Sequence, residues 1–186
     1  LFLFILFFPL FSNATQKFEE YKLIIVGDSL IQGYGLPRDK GFVNQLQKKF
    51  MEKGNNVTLI NAGVSGDTTA GGLSRIDWSI TEDINAVALS LGANDMLRGI
   101  SPKYSKENLS KIIIKIREKK LPILLIGIRS IENFGIEYKN EFDSIFSDLA
   151  DEFGLSLYPD LMAPLLNKEK DLSNYLQEDM LHPNEE

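Results

Sequence analysis

Short apolar runs alternate along this chain with segments in which apolar residues recur every three or four positions. The short runs cover residues 22–26, 57–60, 86–91, 123–128 and 155–158. A run of this length that is bounded by turn residues is typical of a buried strand. The pattern therefore predicts five strands.

The segments with helical spacing lie between those runs. They predict helices over 42–53, from a cap at 67–69 to about residue 78, over 105–119 and over 138–153. Glycine follows the first and the last of these helices, as is common at helix ends. The chain after residue 158 contains three prolines and is predicted to be irregular.

Strands separated by helices indicate a parallel sheet that is covered on both faces. The predicted fold class is therefore α/β, a three-layer α/β/α sandwich of the doubly wound kind with about five strands. Ligands in such folds bind beyond the carboxyl ends of the strands. The first three strands lead into 27–29, 61–63 and 92–95, which are small and polar, and we expect the functional site there.

Composition narrows the possible functions. The 186 residues, 44% of them apolar, are enough for one domain with a core of its own. The net charge is −6 without a basic stripe, which argues against a nucleic-acid partner. One histidine and no cysteine argue against a zinc site. The glycines match neither a phosphate loop nor a dinucleotide fingerprint, so we expect neither a metal nor a cofactor.

The first fourteen residues resemble a secretory signal. Residues 1–11 are apolar but shorter than the roughly 20 residues that span a bilayer, and Ser12-Asn13-Ala14 provides small residues for cleavage. We expect residues 1–14 to be a signal that is incomplete at its start, and the mature protein to be periplasmic or secreted without a stable membrane span. The alternatives are a buried N-terminal element and an uncleaved anchor.

Ser29 is the candidate nucleophile, because it stands where the first predicted strand ends. A serine hydroxyl needs a base to take its proton, and histidine is the usual base at neutral pH. His182 is the only histidine of the chain, so it is the candidate base. Asp179, three residues earlier, could orient its ring. The chain lacks the G-x-S-x-G elbow. A loop or cap role for Ser29 and an exposed position for His182 near the terminus remain open.

Three groups could stabilise a developing oxyanion. They are the backbone N–H of Ser29, the backbone N–H of Gly63 and the side-chain amide of Asn94. Glycine and asparagine are also common turn residues after strands, so that reading remains open. Asp28, Asp67 and Asp95 are interpreted as caps or hydrogen-bond braces rather than as catalytic acids.

Together, four segments resemble the sequence blocks of the SGNH, or GDSL-type, hydrolases. They are Gly27-Asp28-Ser29-Leu30, residues 61–69, Leu91-Gly92-Ala93-Asn94-Asp95 and residues 179–184. The order of the blocks makes the resemblance specific, although each block alone is weak. It implies Ser29, Asp179 and His182 as the catalytic triad, with Ser29, Gly63 and Asn94 in the oxyanion hole.

The resemblance also implies a flavodoxin-like sheet, no cofactor, and hydrolysis of acyl thioesters, lysophospholipids and simple esters. Residues 34–37 and 94–99 are similar to the exported thioesterase, arylesterase and lysophospholipase branch. We expect residues 15–186 to form the hydrolase domain, without the C-terminal helix usual in the family. Three alternatives remain: a carbohydrate O-acetyl esterase, a noncatalytic ester- or glycan-binding module and a nucleotide-binding flavodoxin-like domain.

Overall fold

The computed structural model describes residues 21–166 and 172–186. The predicted signal, residues 1–14, lies outside the described residues. The described residues contain no helix long and apolar enough to cross a membrane.

Five parallel strands form one sheet, as the alternating pattern predicted. The strands are Tyr21–Gly27 (β1), Val57–Gly63 (β2), Ala86–Ser90 (β3), Ile123–Ile126 (β4) and Ser156–Tyr158 (β5). Their order across the sheet is β2-β1-β3-β4-β5, the flavodoxin-like order. The strand order reverses at β1, because β2 lies on one side of β1 and the later strands lie on the other. A crevice is expected beyond the carboxyl ends of β1 and β3, where the order reverses.

Helices connect the strands. They are Ser29–Gln32 (α1), Phe42–Glu52 (α2), Thr69–Ser79 (α3), Ala93–Leu97 (α4), Pro102–Glu118 (α5), Ile136–Phe153 (α6) and Ala163–Leu166 (α7). Short 3₁₀ turns lie at Arg38–Lys40, Glu132–Phe134 and Leu172–Asn174. The four longer predicted helices are present. The segment after β5 is more regular than expected, because it contains α7 and one of the 3₁₀ turns.

Alternate residues of β1 face different apolar layers, which confirms the three-layer sandwich. Ile24 and Val26 lie in the larger core, beneath α3, α5 and α6. Ile25 lies in the smaller core with Ile31 of α1 and Val43 of α2. Since β1 is buried on both faces, its carboxyl end is held rigidly, and it leads directly into Ser29.

Candidate active site

Ser29 is the first residue of α1, immediately beyond the end of β1. The helix can begin here because Asp28 caps it: the Asp28 carboxylate accepts a hydrogen bond from the Leu30 N–H at 3.1 Å. A first-turn N–H has no partner within its own helix, so the backbone N–H of Ser29 is available to a ligand. The residue that caps α1 is therefore Asp28 and not Ser29, so the alternative cap role of Ser29 is not what the structure shows.

Asp28 is almost completely buried, at 1% exposure. One of its carboxylate oxygens caps α1, and the other has no hydrogen-bond partner among the described residues. Burial raises the pKa of Asp28 from its ordinary 3.8 to about 6. The carboxyl group beside the candidate nucleophile therefore changes charge at a higher pH than an ordinary aspartate, near pH 6.

His182 joins Ser29 to Asp179 in a continuous hydrogen-bonded series. Its Nε2 lies 2.8 Å from the Ser29 Oγ, and its Nδ1 lies 2.6 Å from an Asp179 carboxylate oxygen. The three sequence candidates are thus brought together in the order that proton transfer requires. The His182 side chain retains only 17% exposure, so it is not a freely exposed terminal residue.

Asp179 is held by the backbone of its own turn. One carboxylate oxygen accepts the N–H of Leu181 at 2.9 Å and that of His182 at 3.0 Å. These two backbone bonds, followed by the bond to the His182 ring, lower the pKa of Asp179 to about 2. The carboxylate therefore stays ionised at any pH near neutral and faces the ring as an anion.

Asn94 stands in the first turn of α4, beyond the end of β3. Its side-chain amide makes no hydrogen bond to any described residue, and it lines the same cavity as Ser29 and His182. Gly92 starts this helix with φ +130°, a conformation that side chains disfavour. The amide is thus free to act as a donor to a substrate oxygen.

Gly63 is placed differently from the expectation. Its N–H donates to the side-chain oxygen of Asn61 at 2.9 Å. The next N–H, of Val64, donates to the Gly27 carbonyl of β1, and successive N–H groups of a strand point to opposite sides. The Gly63 N–H therefore points away from β1 and from Ser29, and the structure does not favour its expected role in the oxyanion hole.

Gly66, in the same loop, offers a donor that the sequence reasoning overlooked. It has φ +81°, and its N–H has no hydrogen-bond partner within the described ranges. The loop is fixed on both sides, because Ser65 N–H donates to Gln32 Oε1 at 2.9 Å and Arg98 donates to the Gly66 carbonyl at 3.0 Å. The signal was present in the sequence, since this loop contains a second glycine before the α3 cap.

The remaining acidic residues of the loops act as braces, as interpreted from the sequence. Asp67 forms a 2.6 Å ion pair with Arg75, which also donates to the Gly27 carbonyl at 3.0 Å. Asp95 is fully buried and accepts both the N–H and the hydroxyl of Thr69. These contacts fix the ends of β1 and β3 relative to α3.

Two cavities flank the Ser29–His182 pair. The smaller, of about 160 Å³, lies on the Asn94 side and is lined by Leu30, Met96, Leu97 and Ile131, among others. The larger, of about 370 Å³, lies beside α2 and α7. Phe134, which follows Ile131 closely in the chain, does not line the smaller cavity and packs beside Gly99 and Tyr138.

The described residues contain no group of three or more acidic, histidine or cysteine side chains arranged to hold a metal ion. The chemistry available at this site consists of a nucleophile, a base, a carboxylate and hydrogen-bond donors.

The fold and this serine–histidine–aspartate series together define a serine hydrolase of the α/β class. Residues 25–186 match the GDSL-like Lipase/Acylhydrolase family, and the chain belongs to that family.

Relatives and solved structures agree with this membership. The chain is 37% identical over 183 residues to an arylesterase of Vibrio mimicus, covering 98% of this chain and 88% of that protein. It is 33% identical over 170 residues to the esterase TesA of Pseudomonas aeruginosa, covering 91% and 83%. The crystal structure of AlinE4, an SGNH-hydrolase family esterase, superposes with a TM-score of 0.81 at 37% identity, covering 89% of this chain and 87% of that one.

Proposed function

We propose that this protein hydrolyses acyl esters and thioesters, including simple aryl esters and lysophospholipids, through an acyl-enzyme on Ser29. The observation that carries the proposal is the hydrogen bond between the Ser29 Oγ and the His182 Nε2, at 2.8 Å, with Asp179 bonded to the opposite ring nitrogen. The arylesterase and TesA relatives support the choice of ester substrates.

In the first step His182 takes the Ser29 proton while the Oγ attacks the substrate carbonyl carbon. The tetrahedral intermediate then collapses: the bond to the leaving group breaks, and His182 returns the proton to that group. In the second step His182 takes a proton from a water molecule, whose oxygen attacks the acyl carbonyl carbon. The bond to the Ser29 Oγ then breaks, His182 returns the proton to that oxygen, and the carboxylic acid leaves. Asp179 keeps the ring in the required tautomer and stabilises its charge.

The oxyanion is proposed to be bound by the N–H of Ser29, the side-chain amide of Asn94 and the N–H of Gly66. Gly66 replaces Gly63 in this assignment, because the Gly63 N–H is already bonded to Asn61. Removing one donor of an oxyanion hole typically lowers kcat by about 10²–10³-fold. Asn94→Ala is expected to do so without a matching loss of folding.

The acyl chain is assigned to the smaller cavity. Met96 and Leu97 line that cavity together with Asn94 and Ser29, so an acyl chain placed there lies against apolar side chains. Apolar walls favour an alkyl chain there through burial of its surface.

Residues 1–14 are proposed to act as a secretory signal, so that the enzyme works in the periplasm or outside the cell. N-terminal sequencing of the exported protein tests this directly. A chain starting at Thr15 supports it, and a retained apolar N-terminus contradicts it.

The deciding experiment measures hydrolysis of p-nitrophenyl esters from acetate to decanoate by residues 15–186, alongside Ser29→Ala and His182→Ala. Loss of activity in both folded variants, checked by circular dichroism, supports the mechanism. A fully active Ser29→Ala contradicts it. Ester binding without turnover by the wild type would favour a noncatalytic module, and turnover confined to acetylated glycans would favour a carbohydrate O-acetyl esterase.

A further inference from the structure

Two separate segments must be held together for Ser29 to meet His182. One is the turn that follows α1, and the other is the loop from Leu176 to Pro183, which an antiparallel bridge between these two residues closes. The nucleophile and the base lie 153 positions apart in the sequence. Their alignment therefore depends on contacts between the two segments.

Gln177 makes such contacts with both segments. Its Nε2 donates to the Tyr34 carbonyl and to the Pro183 carbonyl, each at 2.8 Å. Its backbone N–H donates to the His182 carbonyl at 2.7 Å. Both hydrogens of the side-chain amide are thus used, one on each side of the site.

The Tyr34 end of this connection leads directly to the nucleophile. Tyr34 N–H donates to the Ser29 carbonyl at 3.1 Å. A continuous hydrogen-bonded path therefore runs from the main chain of Ser29, through Tyr34 and Gln177, to the main chain of His182. The Tyr34 ring also contacts the imidazole, with centroids 4.8 Å apart.

Gly35 makes room for this arrangement. It has φ +76°, and a Cβ built there would lie 2.1 Å from the Gln177 Oε1. Any side chain at this position would displace the Gln177 amide. The turn after α1 is thus shaped to receive that amide.

We propose that Gln177 is a positioning residue, which holds the His182 loop against the α1 turn so that the imidazole reaches Ser29. The inference rests on the proposed function, because it concerns the alignment of the proposed base and nucleophile. Gln177 acts on the loop as a unit. The Asp179–His182 bond lies within that loop, and it should survive when the connection to Tyr34 is lost.

The test replaces Gln177 by methionine, which has a similar length and no donor. Misalignment of reacting groups by about 1 Å can lower a rate by about 10²-fold. We expect Gln177→Met to lower kcat for p-nitrophenyl butyrate by roughly ten- to a hundredfold with KM within about twofold. The reaction of Ser29 with an alkyl fluorophosphonate should slow by a similar factor.

Gln47→Met is the matched control. Gln47 also joins two elements, since its side chain donates to the Val57 carbonyl at 2.8 Å and accepts the Leu59 N–H at 2.7 Å, but it belongs to α2 and not to the site. This variant is expected to lower Tm while kcat stays within about twofold. Gly35→Ala displaces the Gln177 amide without changing Gln177, and it also strains a backbone of φ +76°. It should reproduce the kcat loss, together with a lower Tm, and serves if Gln177→Met does not fold.

A proton NMR measurement separates positioning from general damage. The chain has a single histidine, so the downfield Nδ1–H signal belongs to His182 alone. We expect that signal to persist in Gln177→Met while kcat falls. Wild-type kcat in both Gln177→Met and Gly35→Ala would overturn the inference, as would loss of the signal together with activity. A wild type that reacts with neither ester nor fluorophosphonate would overturn the proposed function as well.

Discussion

Gly63 of β2 lies directly against the main chain of Gln32, the last residue of α1. A Cβ at position 63 would lie 2.2 Å from the Gln32 nitrogen and 2.8 Å from its Cα. The glycine is therefore needed so that α1, which carries Ser29, can pack on the edge strand of the sheet. This contact explains the residue without any part for its N–H in catalysis.

Gly63→Ala is expected to destabilise the protein and to lower activity. The added methyl group meets backbone rather than a movable side chain, and forced overpacking typically costs about 1–3 kcal/mol. Moving α1 would also move Ser29, so kcat should fall in the folded fraction. Thermal unfolding and ester hydrolysis measure the two effects.

Gly41→Ala is the control for that substitution. Gly41 has φ −62°, and its added Cβ would meet nothing closer than 3.5 Å. Its stability should stay the same or rise slightly, because alanine reduces the entropy of the unfolded chain. A Gly63→Ala protein as stable and active as the wild type would contradict the packing argument.

Arg75 should contribute more to stability than any exposed cation of the described structure. It is 7% exposed, pairs with Asp67 at 2.6 Å and donates to the Gly27 carbonyl. Removing one partner of a buried ion pair typically costs about 3–5 kcal/mol. Arg75→Ala should therefore shift urea unfolding by an amount in that range.

Lys115→Ala provides the comparison for Arg75. The 2.6 Å pair of Lys115 with Asp77 is exposed, and exposed pairs typically contribute about 0–1 kcal/mol. Equal losses in the two variants would show that burial of the Arg75 pair has no energetic consequence.

Asp28 should make stability fall as pH rises from about 4 to about 6. Its pKa is raised from 3.8 to about 6 in the folded protein, so folding favours the protonated carboxyl. The stabilisation is complete below the unfolded pKa and is lost as pH passes the folded pKa; a difference of this size corresponds to about 3 kcal/mol. This pH range lies above the one in which Asp179 titrates, because the pKa of Asp179 is lowered to about 2.

Asp28→Asn removes this titration and keeps an oxygen that can cap α1. Its stability by urea unfolding should match the wild type near pH 4 and exceed it at pH 8. An unchanged difference between variant and wild type across that range would rule out Asp28 as the titrating group.

The strands and the long helices could be predicted from the sequence because burial imposes a period on the side chains. α1 and α4 could not, since four or five residues are too short for a periodic signal. α1 begins where it does because Asp28 caps it and Gly27 allows Ile31 to pack closely, with a Cβ at Gly27 only 2.2 Å from Ile31. Both contacts are local and involve single residues, so they leave no periodic pattern in the sequence.

Some residues of the candidate site could be predicted from the sequence and others could not. Nothing in the spacing places His182 beside Ser29. The pairing was inferred because His182 is the only histidine, and the resemblance to the family then supported it. The role of Gly63 depended on where β2 ends. The apolar run stops at Ile60, but pairing with β1 continues to Gly63, and this register turns the Gly63 N–H away from the nucleophile.

Met180, between Asp179 and His182, is expected to favour longer acyl chains at the expense of stability. It has φ +55°, which costs a residue other than glycine about 1–2 kcal/mol. Its side chain is half exposed and lines the smaller cavity with Leu97 and Ile131. Met180→Gly should therefore unfold at a higher temperature and have a several-fold higher KM for octanoyl esters, with little change for acetyl esters.

Lys120→Gly isolates the backbone part of that effect. Lys120 is the other residue besides glycine with positive φ in the described part of the chain, at +59°, and it follows α5 rather than the candidate site. It should gain stability without any change in acyl-chain preference. If Met180→Gly likewise leaves the preference unchanged, the Met180 side chain does not contact the acyl group. A lower Tm in Met180→Gly would mean that side-chain packing outweighs the backbone strain.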